Sequence, residues 1–486
     1  MIAKFFCRSV MPALVMTLFL SGCFAVGPDY TRVRPDAPKA WNTTLEGGLT
    51  NTQMAPDTLS QWWKILGDPQ LESLEKRAVQ GNLELKNARA RIREARAQRG
   101  ISRTRLFPTV DATGSITDHR SSENNGLGHE SKLYAAGFDA GWELDIFGGT
   151  RRAIEAAQAE VESSMEDLHD VLVSLLAEVA LNYVDARTYQ ARLAATMGNI
   201  AVQQETYELN LSLRQAGLID ELALEQSLYN LEHSHSQIPL LQTGLEAAKN
   251  RLAVLLGKKP GAVHPELAEE KSIPAIPVSV AVGIPAETLR HRPDIRRAER
   301  NLAAATARIG IATADLYPKF RLNGTIGLES ISSGNLWQWA SRSWNFGPQV
   351  SWNIFDAGAI RQNIQVQNAR QEQALISYEA TVLQAQEEVE NALVAYAKEQ
   401  QRRSALAKAT SAAKRADLLA RDQYQAGLVD FNDVLDAQRS LLSFQDELAQ
   451  SSGVVTTNLI RLYKALGGGW TFHAPETEKQ TVKKSK

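Results

Sequence analysis

Residues 134–147 read YAAGFDAGWELDIF. Tyr134, Ala136, Phe138, Ala140, Trp142, Leu144 and Ile146 fall at even positions; Ala135, Gly137, Asp139, Gly141, Glu143 and Asp145 fall at odd ones. Alternation of period two kept up over this length predicts a β-strand and is incompatible with a helix. One face is large and apolar, the other small or acidic. Strands of soluble sheets have about 5–6 residues, whereas about 9–11 cross a bilayer at a tilt. An apolar outside and a polar inside at this length point to an outer-membrane barrel strand. On this stretch alone, the alternative is an edge strand of a soluble sandwich.

The N-terminus bears on compartment. Lys4 and Arg8 precede an apolar run, Val10 to Leu20, which is followed by Leu20-Ser21-Gly22-Cys23. That layout predicts a signal peptide at 1–22, too short and wrongly flanked for a spanning helix. The ending resembles the bacterial lipobox, which implies that Cys23 becomes an acylated first residue. Several acyl chains anchor stably where one is marginal. Phe24 in place of Asp resembles signals that deliver to the outer membrane. An ordinary signal cleaved elsewhere is the alternative. Cys7 and Cys23 are the only cysteines, so the mature chain has no disulfide to form. The net charge of −2 gives no global basic field. No apolar run after the signal reaches the about 18 residues of a spanning helix, so strands must make any crossing.

Taken in order, 23–67 reads as a lipidated, extended segment rich in Pro and Gly, and 68–105 as helical with apolar residues at 3/4 spacing. Strands are expected at 108–117 and 134–147, joined by a polar loop. Long helices follow at 150–215 and 220–256, the second kinked at Pro239. Ile154, Val161, Leu168 and Leu175 keep a seven-residue spacing, as do Leu172, Val179, Ala186 and Leu193, which argues for closely packed coiled-coil helices. The first helix, at 1.5 Å per residue, would be roughly 100 Å long. In Gln215-Ala-Gly-Leu-Ile-Asp220, Gly217 suits a helix end and Asp220 an N-cap.

The chain then repeats itself. Leu106-Phe-Pro108 returns as Leu316-Tyr-Pro318, Gly100-Ile101 as Gly310-Ile311, and Gln215-Ala-Gly-Leu-Ile-Asp220 as Gln425-Ala-Gly-Leu-Val-Asp430. Arg251-Leu252 before Gly257 returns as Arg461-Leu462 before Gly467, and every pair lies 210 residues apart. The repeats are 68–257 and 285–467, with a linker or equatorial region at 258–284 and a tail at 468–486. The second repeat carries expected strands at 318–329 and 343–355 and long helices at 358–425 and 431–466, with Gly427 and Asp430 in its tip turn. The expected fold is mainly α with a membrane β-part, a tandem helix, β-hairpin, long helix, long helix. Four strands cannot close a membrane barrel, for which about eight is the minimum. Unclosed edges in lipid would leave backbone groups unpaired at several kcal/mol each. The barrel must therefore be shared between chains, and helices of such length must project into the periplasm.

With this pattern in hand, the chain resembles the outer-membrane efflux protein family, the TolC-like channels, in the lipoprotein branch that serves RND-type efflux systems. The similarity rests on Gly27-Pro-Asp-Tyr30, Arg290-His-Arg-Pro-Asp-Ile295, Leu316-Tyr-Pro318 and Val434-Leu-Asp-Ala-Gln-Arg439. The resemblance implies a homotrimer with a shared 12-stranded β-barrel, a long α-helical barrel, and docking onto a periplasmic adaptor and an inner-membrane pump. It implies an exit duct in the cell outer membrane, lipid-anchored, passing drugs, metals or other small toxic solutes. A channel for type I protein secretion uses the same architecture, and a lipid-anchored periplasmic coiled-coil scaffold is the rival from another class.

Asp433 and Asp436 are three apart, so on a helix they share a face. In a symmetric oligomer each becomes a ring of carboxylates that concentrates cations and opposes anions. The first repeat has Ala223 and Gln226 there, so only one half carries the pair. A solvated helix face with an N-cap is the alternative. The resemblance places these aspartates at a narrow periplasmic entrance and Tyr424 among the residues that hold it closed. Val429 and Ala223 stand where some members have an arginine and its partner aspartate, so that salt-bridge lock is absent; apolar contacts near Leu218, Leu428 and Phe431 are one way to close the tip. Arg89, Arg93, Arg96, Arg99, Arg103 and Arg105 read as solvated or intersubunit helix faces, since export argues against nucleic acid. Trp337 and Trp339 suit a membrane interface or local loop packing. His233 and His235, two apart on a helix, point to different faces and make poor joint metal ligands. No HExxH, GxSxG or GxxxxGK motif occurs, and no metal, cofactor or catalytic residue is expected.

Overall fold

A computed structural model describes residues 25–33, 38–52, 56–126, 128–277 and 279–470. Cys23 and the tail beyond 470 lie outside the described residues. The first repeat comprises α1 (Pro69–Gly81), α2 (Leu83–Thr104), β1 (Thr109–Arg120), β2 (Glu130–Leu144), α3 (Gly149–Gln215) and α4 (Glu221–Leu255). The second comprises α5 (Pro285–His291), α6 (Pro293–Ala314), β3 (Lys319–Ser330), β4 (Arg342–Ser351), α7 (Ala359–Gln425) and α8 (Phe431–Ala465). The duplication reaches down to length: α3 and α7 each have 67 residues, and α4 and α8 each have 35. No helix among the described residues is long and apolar enough to cross a membrane, which says nothing of the strands.

Two compact units emerge. One joins the described residues of 25–33, 90–165 and 297–379 and holds the antiparallel sheet in the order β1-β2-β3-β4. The register is set by the alternation: Phe138 pairs with Ala112 on one side and Ile326 on the other, and Ile326 pairs with Trp344. Even-numbered residues therefore share one face across all four strands, because a pleated ladder keeps directly opposed residues on the same side. Gly137 sits opposite Gly327, where a Cβ would come within 2.7 Å of the Ile326 carbonyl oxygen.

The other unit, the described residues of 38–89, 166–296 and 380–470, holds the large apolar core. Val179, Tyr183 and Val184 of α3 meet Leu393 and Tyr396 of α7 and Val455, Leu459 and Tyr463 of α8 there. Trp62 stacks on Tyr463 at 5.7 Å.

Several expected boundaries move, each for a local reason. The strand expected to reach Phe147 stops at Leu144, because Asp145 turns aside to accept the backbone N–H groups of Thr150 and Arg151 at 2.9 Å each. The strand expected over 343–355 stops at Ser351, and Asp356 accepts the N–H groups of Gly358 and Ile360, both at 2.8 Å. The helix expected from 68 to 105 breaks at Asn82, whose side chain caps α2 through the Leu85 N–H at 2.9 Å. The segment 23–67 is not simply extended. Pro56–Ser60 is helical and Trp62–Leu66 forms a 3₁₀ turn, while Leu49–Thr50 pairs in parallel with Val280–Ala281 of the linker. Pro239 lies inside α4, which continues through it.

Candidate functional site

Sequence pattern and register together make one face of the sheet apolar and open. Val110, Ile116, Phe138, Ile326, Trp344, Phe346 and Val350 are each more than half exposed. So large a contiguous apolar surface on a folded unit marks a membrane or protein contact. The opposite face is polar and internally bonded. Thr113 donates its hydroxyl to Asp139 at 2.8 Å, Arg321 pairs with Glu143 at 3.3 Å, and Asn323 donates to Gln349 at 2.8 Å. The outer strands β1 and β4 each leave an edge without a partner strand among the described residues.

Both hairpins are braced in the same way. The indole N–H of Trp142 donates to the Leu106 carbonyl at 2.9 Å, and that of Trp352 to the Leu316 carbonyl at 3.0 Å. The start of the described chain is tied down beside them. Val26 N–H donates to Phe147 O at 3.0 Å. The Arg152 guanidinium binds Val26 O, Gly27 O and the Asp29 carboxylate at 3.1, 3.2 and 2.7 Å. Gly27 is needed there, since its φ is 90° and a Cβ would lie 2.4 Å from the Gly310 Cα. Tyr30 donates its hydroxyl to Glu299 at 3.0 Å.

The turn between α3 and α4 and that between α7 and α8 are copies. Gly217 and Gly427 have φ of 72° and 70°. Leu218 N–H reaches back to Leu213 O and Leu428 N–H to Gln423 O, each at 2.9 Å, the Schellman pattern that ends a helix on glycine. The caps then diverge. Asp220 accepts the Ala223 N–H at 3.1 Å, whereas Asp430 makes no side-chain cap bond.

Asp433 and Asp436 are both exposed on the first turns of α8, on the side away from buried Val434 and Leu435. Asp436 is 81% exposed and its nearest cation, Arg439, is 3.8 Å away. Tyr424 packs its ring 5.4 Å from Phe431 and donates its hydroxyl to Asn210 at 3.0 Å. Asn210 is fully buried and its amide reaches Ala223 O at 3.5 Å. Burial, and then the negative charge of Asp220, push the Tyr424 hydroxyl pKa up, so it stays a donor. Of the apolar residues considered for closing the tip, Phe431 is buried beside Val434 and Leu435. Leu218 and Leu428 project outward, 71% and 74% exposed.

Sequence reasoning missed the polar seam behind this turn. Arg192, Asn199 and Thr206 recur every seven residues on α3. They bind Asp446 at 2.7 Å, Gln445 at 2.6 Å and Gln438 at 3.0 Å of α8. The heptad spacing of these polar residues was the available signal. It missed Arg292 too, whose buried guanidinium binds Asp294, Glu388 at 2.7 Å and the Ala465 carbonyl at 2.7 Å. His233 and His235 are both exposed, and no group of three or more metal-ligating side chains occurs among the described residues. Trp337 and Trp339 are each 78% exposed, with the Arg342 guanidinium 3.9 Å from the centre of the Trp339 ring.

The model of the outer membrane efflux protein family matches residues 74–258 and again 284–468, two spans set 210 residues apart. Nodulation protein T of Rhizobium leguminosarum bv. trifolii is 32% identical over 460 residues, covering 93% of this chain and 96% of that protein. The cation efflux system protein CusC of Escherichia coli O6:H1 is 30% identical over 457 residues, or 94% and 97% of the two chains. Among solved structures, the outer-membrane channel OprN matches with a TM-score of 0.86 at 36% identity, over 92% of this chain and 99% of that one.

Proposed function

The chain belongs to the outer membrane efflux protein family, and from that premise we propose how this outer-membrane exit duct works. It acts as a homotrimer whose twelve strands close one barrel in the outer membrane. It is acylated at Cys23, and it receives cargo from an inner-membrane pump through a periplasmic adaptor. It is a passive conduit and carries out no catalysis. The observation that carries this reading is the sheet: one face continuously apolar and exposed, and two edges unpaired. In lipid each unpaired backbone group costs several kcal/mol, so edges must be closed by further copies. Helices of 67 residues, about 100 Å long, exceed the ~30 Å hydrocarbon layer and run outside it.

Asp433 and Asp436 are the entrance residues in this reading, and Tyr424, with the turns at Gly217, Asp220, Gly427 and Asp430, frames them. Repeated by symmetry, two exposed carboxylates per chain favour neutral and cationic small toxic solutes over anions. That agrees with the cation efflux named for one relative. The purified protein in planar bilayers should conduct and prefer cations. Asp433→Asn with Asp436→Asn should lower that preference and relieve block by trivalent cations. Absence of any conductance overturns the duct; unchanged selectivity and block overturn the entrance assignment.

A further inference from the structure

Residues of α3, α7 and α8 border a cleft of about 230 Å³ within the helical unit. A cavity of ~150 Å³ takes up benzene, so this one has room for a small organic molecule. Its α3 wall is Ala194, Ala195 and Gly198. Its α7 wall is Lys414, Asp417, Leu418 and Arg421, whose spacing puts them on one helix face. Gly198 lies inside a long helix, where glycine is a weak choice. A Cβ there would meet no atom within 4 Å, so no close approach of a neighbour demands the glycine. What it does is widen the cleft.

The polar wall is half satisfied. Asp417 is 2% exposed, and its Oδ2 accepts from Arg421 Nη2 at 3.0 Å. Asp417 Oδ1 and Arg421 Nε are both buried with no hydrogen-bond partner among the described residues. A bidentate pair would satisfy both atoms; this end-on pair leaves an acceptor and a donor close together. Buried polar atoms left in this way are rare and costly. The chemistry is not part of the duplication. Tyr207 and Leu211 stand 210 residues before Asp417 and Arg421, and Lys408 stands 210 after Gly198. The repeated architecture does not require these residues, so their meeting at one cleft calls for a separate reason.

We infer that this cleft binds a small hydroxy acid. Both side chains line it, so a modest turn of the carboxylate and the guanidinium presents the two unpaired atoms to a bound molecule. The acid's carboxylate accepts from Arg421 Nε–H and from the exposed Lys414 ammonium, and its hydroxyl donates to Asp417 Oδ1. Its carbon skeleton lies against Ala194, Val202 and Leu418. Lys414 and Arg421 against Asp417 leave one positive charge, which a monoanion balances and a zwitterionic amino acid does not. The bound acid ties α3 of the first repeat to α7 of the second. The site lies within one chain and goes beyond the duct reading, needing neither a second copy nor a partner.

Lactate, titrated calorimetrically into the purified full-length chain in detergent, tests the site. It should bind saturably, one molecule per chain, and raise the thermal unfolding midpoint as any ligand of the folded state does. Propionate lacks the hydroxyl and glycerol the carboxylate; each should bind about tenfold or more weakly, since each leaves one buried atom unpaired. Alanine should also bind more weakly than lactate. Gly198→Leu directs a side chain into the cleft and should abolish lactate binding without lowering the chain's own midpoint. Arg421→Gln should weaken lactate about tenfold. Lactate binding unchanged in Gly198→Leu, or propionate equal to lactate, overturns the site. Unchanged affinity in Arg421→Gln overturns the role of Arg421, and alanine tighter than lactate overturns the hydroxy-acid assignment. No binding by any of the four compounds means that the cleft holds water alone and overturns the proposal. None of these outcomes touches conductance, so the duct reading stands or falls separately.

Discussion

Glu75 of α1 is 1% exposed, and neither carboxylate oxygen has a hydrogen-bond partner. Burial alone raises its pKa well above the usual carboxylate range. The folded state therefore keeps a proton that the unfolded chain gives up near pH 4.5. Stability falls as pH rises from that value towards the folded pKa, because the native state then binds more protons than the unfolded one. Glu75→Leu should stabilise by about 1–3 kcal/mol at neutral pH, the usual cost of a buried unsatisfied group. The gain should be larger at pH 8 than at pH 5 in chemical unfolding followed by helix circular dichroism. An equal gain at both values means that Glu75 does not titrate in this window. Nothing in Leu74-Glu75-Lys76 announces this. A glutamate in an amphipathic helix reads as surface until packing shows otherwise. Asp433 and Asp436 are the opposite case, since their shared face and their absence from the first repeat are visible in the chain itself.

At the scale of elements, period-two alternation marks the strands of the sheet and seven-residue spacing marks α3, because each depends on local periodicity. The ends are another matter. Asp145 continues the strand's alternation in sequence, yet serves as the cap of α3. Asn82 interrupts a helical pattern because its amide also donates to Leu255 O at 2.9 Å, a residue far along the chain. In the second repeat Arg292 stands in place of Asn82 and donates to Ala465 O, the equivalent of Leu255. One neutral tie has become a buried ionic one, with Asp294 accepting at 2.6 Å and Glu388 at 2.7 Å. Removing one partner of a buried ion pair costs about 3–5 kcal/mol, against about 1 kcal/mol for a neutral hydrogen bond. Glu388 is 59% exposed and can be hydrated, so Arg292→Met should fall near the lower end. It should still destabilise by more than Asn82→Ala in thermal unfolding. Equal losses would mean that the ion pairs contribute nothing beyond the backbone tie.

At the scale of the molecule, attachment to the membrane has two parts, the strands and the proposed acyl group on Cys23. The described chain begins two residues later at Ala25 and is held at once by Val26 and Arg152. Cys23→Ala should abolish incorporation of labelled palmitate, and persistent labelling would falsify the acylation site. By itself the sequence determined the strand type, the duplication with its offset of 210, and the helical turns at Gly217 and Gly427. All of these follow from local period or local turn chemistry. Only the tertiary structure decided that Tyr424 is held by buried Asn210, that Leu218 and Leu428 leave the tip's apolar cluster, and that Arg292 and Glu75 are buried. Those outcomes depend on which side chains meet across helices hundreds of residues apart, and burial rather than residue type sets their energies. The strand at 134–147 shows both sides. Its alternation announces a barrel wall, while the register of its neighbours decides which faces and edges remain open.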